Sequence, residues 1–253
     1  MKIEAEEIQK VLSHLVSKDS ESVEILQEPI DIIANQEFVK YQKEHKEDLL
    51  NSTDNVLKLE DKLYRNETSN SKKKEIIAAL SLEGSTKAYR IVEKFLLKQD
   101  GELKKWGQIA KQQLKIKVER SLMYKKKVYV SSGLGGKNNL IRLFGVAYLK
   151  YEKIENNQYK EFQKQIEKRF QKLNGILEKI DIQEKYFTFK ILVPINTNID
   201  NLLQSMKENF EEYNNLIRDD ILITNVKKLS KNEIENHLKT IELIDLKKEF
   251  MLS

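Results

Sequence analysis

Cysteine is missing from the chain, and its absence excludes disulfides, thiolate metal ligands and cysteine nucleophiles together. Proline occurs twice and glycine eight times in 253 residues, so neither a proline-rich spacer nor a glycine-rich disordered tract is present. The three histidines, His14, His45 and His237, stand far apart without metal-ligand spacing, and no H-E-x-x-H occurs. No apolar run approaches membrane-spanning length. The opening MKIEAEEIQKVL carries acids where a secretory leader needs a basic start and an apolar middle. The expectation is a cytoplasmic protein with no membrane association. Arginine is scarce as well, six of 45 basic residues, and arginine is the side chain whose fork reads phosphates and guanines bidentately. That scarcity argues against sequence-specific nucleic-acid recognition.

What the chain has is charge and aliphatic side chains. At 40% hydrophobic and 34% charged it has the composition of a helix-rich globular protein, long enough for two modest domains. The charge is uneven. Residues 1–71 carry 9 basic and 16 acidic side chains, residues 72–150 carry 19 and 6, and residues 151–253 carry 17 and 18. A surplus of 13 positive charges in the middle is either a footprint for an acidic partner or is neutralised by the acidic N-terminal part, and both remain open.

Apolar periodicity sets the order of elements. Ile8, Val11, Leu12 and Leu15 fall at helical spacing, and a longer helix is expected after Pro29 through Ile32, Phe38, Tyr41 and Leu49. Ser52 or Thr53 is the expected cap of the next helix, before Leu59 and Leu63, and residues 66–71 form a polar linker. Three helices follow. Ile76, Ile77 and Leu80 precede Gly84; Ser85 caps a helix with Ala88, Ile91, Val92 and Phe95; Asp100-Gly101 then opens a helix through Leu103, Trp106, Leu114 and Leu122. The stretch EIIAALSLEGSTKAYRIVEKFLLKQDGELKKWGQIAKQQL resembles a HEAT-like helical repeat, over residues 72–122. The resemblance implies an interaction surface for protein or nucleic acid, not a reaction.

Beyond residue 127 the period changes. Leu140–Leu149 has strand character, Tyr159 to Leu173 a helical stripe, Ile176–Ile182 and Tyr186–Val193 two alternating strands, Ile199–Tyr213 a helix, Ile221–Val226 a strand, and Ile234–Ile241 a final helix. Thr197 with Asp200 and Ser230 with Glu233 have capping-box spacing. Strand, helix, strand, strand, helix, strand is the ferredoxin-like βαββαβ order. The expected fold is α+β, with a helical domain over 1–126 and a ferredoxin-like domain over 127–253. In that topology the first strand has both edges occupied, so a hairpin partner at Lys127–Ser132 either displaces the last strand or pairs only at one end.

Three surfaces are candidates for function. Gly133-Leu-Gly-Gly-Lys137 invites a phosphate-loop reading, but Ser131 and Asn138 stand where a Walker A loop needs glycine and a hydroxyl residue. A hairpin loop is expected there, with an anion nest assisted by Lys137 as the minority alternative. A second surface is the sheet face opposite the core, which would present Arg142, Phe144, Tyr148, Tyr186, Thr188 and Lys190, aromatics and cations either suited to stacking bases or packed against the helical half or another subunit. KYFTFKIL is similar to an RNP1 motif of RRM domains, although Tyr186 and Thr188 replace its glycines. Third, Lys111, Lys115, Arg120, Lys125, Lys126 and Lys127 form a basic ridge on the long helix and its exit. The acidic pairs Glu211-Glu212 and Asp219-Asp220 give no acid and base assignment, and no G-x-S-x-G occurs. No catalytic residue, metal or cofactor is nominated. The expectation is a binding or adaptor protein for an acidic partner, RNA, ribonucleoprotein or acidic protein, against an assembly component that forms oligomers and a sensor or enzyme built on the glycine loop.

Overall fold

In the computed structural model, residues 22–52, 56–122, 127–150, 156–208 and 217–252 are described. The expected helix around Ile8–Leu15 lies outside them. The chain divides into two compact units, one formed by Ile30–Tyr129 with the short segment up to Glu24, the other by Ile25–Pro29 and the residues from Val130 onward.

The helical unit begins at α1 (Ile32–Glu44), where Asp31 accepts a hydrogen bond from the Ala34 amide at 2.9 Å and so satisfies an otherwise orphaned donor. That bond, with Lys105 beside it, holds the Asp31 carboxyl below its ordinary range. The single long helix expected here is broken at His45, whose backbone (φ −115°, ψ 22°) leaves the helical region before α2 (Lys46–Asn51). Ser52 closes α2, its hydroxyl donating back to the Leu49 carbonyl at 2.7 Å, and Thr53, the other expected cap, lies outside the described residues. After α3 (Val56–Tyr64), the polar stretch is shorter than its composition suggests, because Ser69 caps α4 (Asn70–Glu83) and takes Asn70 and Ser71 into the helix.

Helix α4 is the buried centre of this unit. Ile76, Ile77, Ala78, Ala79, Leu80 and Ser81 are all buried, and small residues among them let α6 (Gly101–Leu122) approach. Gly84 ends α4 in the left-handed region at φ +83°. Lys117 of α6 donates to the Ser81 and Leu82 carbonyls at 2.9 and 2.8 Å, a cation on the negative end of the α4 dipole. Burial lowers the Lys117 pKa. Ser85 caps α5 (Thr86–Leu96) through the Ala88 amide, as its position before the apolar stripe indicates. The core joins Phe38, Leu49, Leu63, Ile77, Leu80, Val92, Phe95, Trp106 and Leu114. Buried Gln42 donates to Ser81 Oγ at 2.6 Å, while the Trp106 indole N–H is buried without a hydrogen-bond partner among the described residues.

Two strands, β1 (Ser22–Ile25) and β2 (Lys127–Val130), pair with each other in a separate ribbon. The main sheet contains β3 (Gly136–Lys137), β4 (Leu140–Leu149), β5 (Ile176–Ile182), β6 (Tyr186–Val193) and β7 (Ile217–Thr224). Its long strands lie in the order β7-β4-β6-β5, all neighbours antiparallel. With α7 (Asn156–Lys172) between β4 and β5, and α8 (Ile199–Glu208) between β6 and β7, this is the ferredoxin-like arrangement, and the fold is α+β. The competition for β4 is resolved locally. Residues 127–130 do not pair with β4; β3 does, through two residues only, Gly136 opposite Ile141 and Lys137 opposite Leu140. Asn138 and Asn139 (φ 50° and 61°) form the two-residue turn between them, the conformation a tight hairpin requires.

One sheet face carries Ile141, Leu143, Ala147, Leu149, Phe187, Phe189, Ile191 and Val193, packed with Ile166 and Phe170 of α7 and Ile199 and Leu202 of α8. Gly145 sits on this face because a Cβ there would come within 2.0 Å of the Phe189 ring. Asn198, not Thr197, caps α8, accepting from the Asn201 amide at 2.9 Å. The Ser230–Glu233 box is formed in both directions and opens α9 (Lys231–Leu252).

Candidate functional site

The glycine loop spends its amides on the chain itself. Leu134 N–H donates to Asn225 O, Gly135 N–H to Ser132 O and Gly136 N–H to Gln27 O, at 3.1, 3.1 and 3.3 Å. Donors already engaged do not converge on an anion, so the nest alternative loses its basis. The glycine at 133 has a packing reason: a Cβ would stand 1.6 Å from the Val226 carbonyl oxygen. Lys137 is exposed at the hairpin tip.

The second sheet face is not open. Phe144, Val146, Tyr148 and Tyr186 are buried against Ile234, Leu238 and Ile241 of α9, and Tyr148 is 0% exposed. This corrects the expectation of a stacking or assembly surface at Phe144, Tyr148 and Tyr186. A row of aromatic and aliphatic side chains on a sheet is itself a core-forming surface, and α9 supplies the apolar stripe that covers it. Tyr148 is anchored there by a 2.9 Å hydrogen bond between its hydroxyl and His237 Nδ1, and burial pushes its pKa up to about 12. The cations at the uncovered end of this face are engaged too. Arg142 makes a bidentate pair with Glu178 at 2.6 and 2.8 Å, and its remaining Nη donates to the Leu134 carbonyl at 2.8 Å. Glu178 lies at the irregularity between Leu177 and Lys179 in the β5–β6 register. Its carboxyl is held below its usual range first by the Arg142 hydrogen bond, with Lys190 and Lys137 adding to the effect. Arg142 is a structural clamp between the glycine loop and the edge strand.

The basic ridge is largely paired. Lys111 lies 3.6 Å from Glu93, Lys115 3.7 Å from Glu119 and Lys127 2.9 Å from Glu24. The Arg120 guanidinium sits 5.7 Å from the Tyr129 ring centre, and the Tyr129 hydroxyl, buried near Glu119, has its pKa pushed up to about 12. Lys125 and Lys126 lie outside the described residues. Two acids of the N-terminal part therefore meet the basic segment, Glu24 at Lys127 and Asp31 at Lys105 (2.7 Å).

A row of cations left in solvent lies on α5. Lys87, Arg90 and Lys94 recur at spacings of three and four residues, and Lys98 follows by four more in the turn after the helix. That spacing places all four on one side, flanking the stripe of buried Ala88, Ile91, Val92 and Phe95. All four are exposed. Among the described residues Lys87, Arg90 and Lys98 have no ion-pair or hydrogen-bond partner, while Lys94 lies 5.6 Å from the Tyr64 ring centre. Glu93 is turned away toward Lys111. The row was visible in KAYRIVEKFLLK as a repeat of basic residues complementary to the apolar one, but sequence reasoning followed the denser lysines of α6.

Among the described residues no cluster of histidine and carboxylate side chains could hold a metal ion, and no helix is long and apolar enough to cross a membrane. A cleft of about 270 Å³ lies between α2, α3 and α4, lined by Lys58, Lys62, Lys72 and Glu75 over Leu59 and Ile76. Lys72 is paired with Glu75 at 2.6 Å across it. No protein-family model matches the chain, and no curated protein is significantly similar to it.

Proposed function

We propose that the protein is a cytoplasmic, non-enzymatic binding or adaptor module whose helical unit docks an acidic macromolecule on the outer face of α5. Its three central helices serve as the interaction surface that the HEAT-like resemblance implies. The observation that carries this is the unpaired row of Lys87, Arg90 and Lys98 with Lys94 between them. Like charges at these spacings repel by about 0.2–0.5 kcal/mol per pair, and an opposite charge laid along the row removes that repulsion. The row's distinction is its alignment: four exposed cations recur at spacings of three and four residues along one helix and the turn after it.

Retention of the full chain on a heparin column tests it. The triple variant Lys87→Glu, Arg90→Glu, Lys98→Glu is expected to elute at markedly lower salt than the parent, whereas Lys111→Glu with Lys115→Glu moves the elution less. Equal elution of parent and triple variant rejects the α5 face. Purification with and without nuclease then identifies co-purifying nucleic acid. The competing class is an assembly component; its sign is a stable oligomer whose mass, measured by light scattering, does not change with salt.

A further inference from the structure

We infer that the partner of the α5 face is an acidic polypeptide segment that also carries apolar side chains, rather than a nucleic-acid strand; this rests on the reading of α5 as a docking face. Charge alone does not choose between them, because phosphates and carboxylates both satisfy ammonium groups. Leu97 does. It is 81% exposed, more than any other large apolar side chain among the described residues, and it stands three residues after Lys94 and seven after Arg90. It therefore sits within the cationic row, where a phosphodiester backbone offers it nothing to bury against and a leucine or phenylalanine of a peptide does. The aromatic side chain nearest the row is also committed. The Tyr64 hydroxyl donates to the Ile91 carbonyl at 3.0 Å, its ring meets Phe95 edge-on at 6.1 Å, and Lys94 lies over it. The Tyr64 ring is 37% exposed, and a base stacking on it, as on single-stranded binding surfaces, would have to displace Lys94. Three of the four cations are lysines, point charges without the fork that nucleic-acid readers favour.

The geometry suits a helix. Lys87 to Lys94 spans about 10 Å along α5 at 1.5 Å per residue, and a partner helix with carboxylates every three or four residues repeats at the same rise. Its apolar positions on the same side would meet Leu97.

Fluorescence anisotropy with the full chain at low salt separates the possibilities. The labelled probes are a glutamate-rich helical peptide with leucine at every fourth position, the same peptide with serine in place of leucine, and an oligouridylate. The leucine peptide is expected to bind roughly tenfold tighter than either other probe, and Leu97→Ser to bring it to the level of the serine peptide. Leu97→Ser leaves oligouridylate binding unchanged. Oligouridylate binding as tight as the leucine peptide, or indifference of the leucine peptide to Leu97→Ser, overturns the polypeptide assignment while the α5 face survives. If Lys87→Glu with Lys98→Glu changes the binding of no probe, the α5 face itself fails.

Discussion

The two units cover their apolar side chains in different ways. In the helical unit each surface helix buries one stripe, so α5 sinks Ala88, Ile91, Val92 and Phe95 and leaves Lys87, Arg90 and Lys98 in water. In the sheet unit both faces are covered, one by α7 and α8 and the other by α9, and Arg142 is drawn into a bidentate pair at the rim. A helix needs only one apolar partner surface, whereas a sheet with aromatic side chains on both faces needs two. The outer side of α5 is therefore left open, whereas neither face of the sheet is, and a docking surface is better sought on α5 than on the sheet.

The largest expected effect tests the helical core. Phe38→Ala removes a fully buried ring packed edge-on against Trp106 at 5.1 Å and should cost about 3–5 kcal/mol. Trp106 is the single tryptophan of the chain, so its fluorescence during denaturation reports this unit. Next comes the cover of the sheet. Ile234→Ala, in the α9 stripe over Phe144 and Tyr148, should cost about 2–4 kcal/mol and raise binding of an apolar dye as that face is uncovered. A stable variant with no added dye binding would mean that α9 is dispensable to the sheet.

The contrast in cations gives a smaller pair of effects. Arg142→Gln breaks the Glu178 pair and the bond to Leu134 and should cost about 1–3 kcal/mol, measured by urea unfolding. Lys87→Gln with Lys98→Gln should change stability by less than about 0.5 kcal/mol while reducing polyanion binding. Equal destabilisation by the two changes would erase the distinction between clamped and free cations. The smallest effect is a pH dependence at α9. The Glu233 pKa is lowered to about 2, first by Lys227 and then by the Ser230 backbone and hydroxyl. A carboxyl with a depressed folded pKa stabilises above its ordinary range and loses that contribution as pH falls toward 2. Thermal midpoints of the parent and of Glu233→Gln should therefore differ at pH 6 and converge near pH 2.

Much of the framework was legible because it rests on local rules. Gly84 and Ser85 mark a stop and a start whatever surrounds them, and the Ser230–Glu233 box forms as spaced. The period-two alternation of Phe187, Phe189, Ile191 and Val193 assigned the core face of β6 correctly. The break at His45 was not legible, since apolar residues recur on both sides of it and only backbone geometry divides α1 from α2. The fate of Phe144, Tyr148 and Tyr186 was not legible either. Alternation says that they share a face, but not that a helix more than eighty residues from Tyr148 covers it.

By itself, then, the sequence determined most of the described helices, the order of the long sheet strands and the helices between them, the ferredoxin-like connectivity and the concentration of positive charge in the middle of the chain. Periodicity, caps and composition act over a few residues and can be read there. Only the tertiary structure decided which charges remain free. Lys111 and Lys127 meet acids brought close by folding, Glu93 of α5 and Glu24, whereas Lys115 pairs locally with Glu119 one turn on. Whether a lysine faces water or a carboxylate depends on neighbours distant in sequence, and the density of lysines along the chain does not encode it.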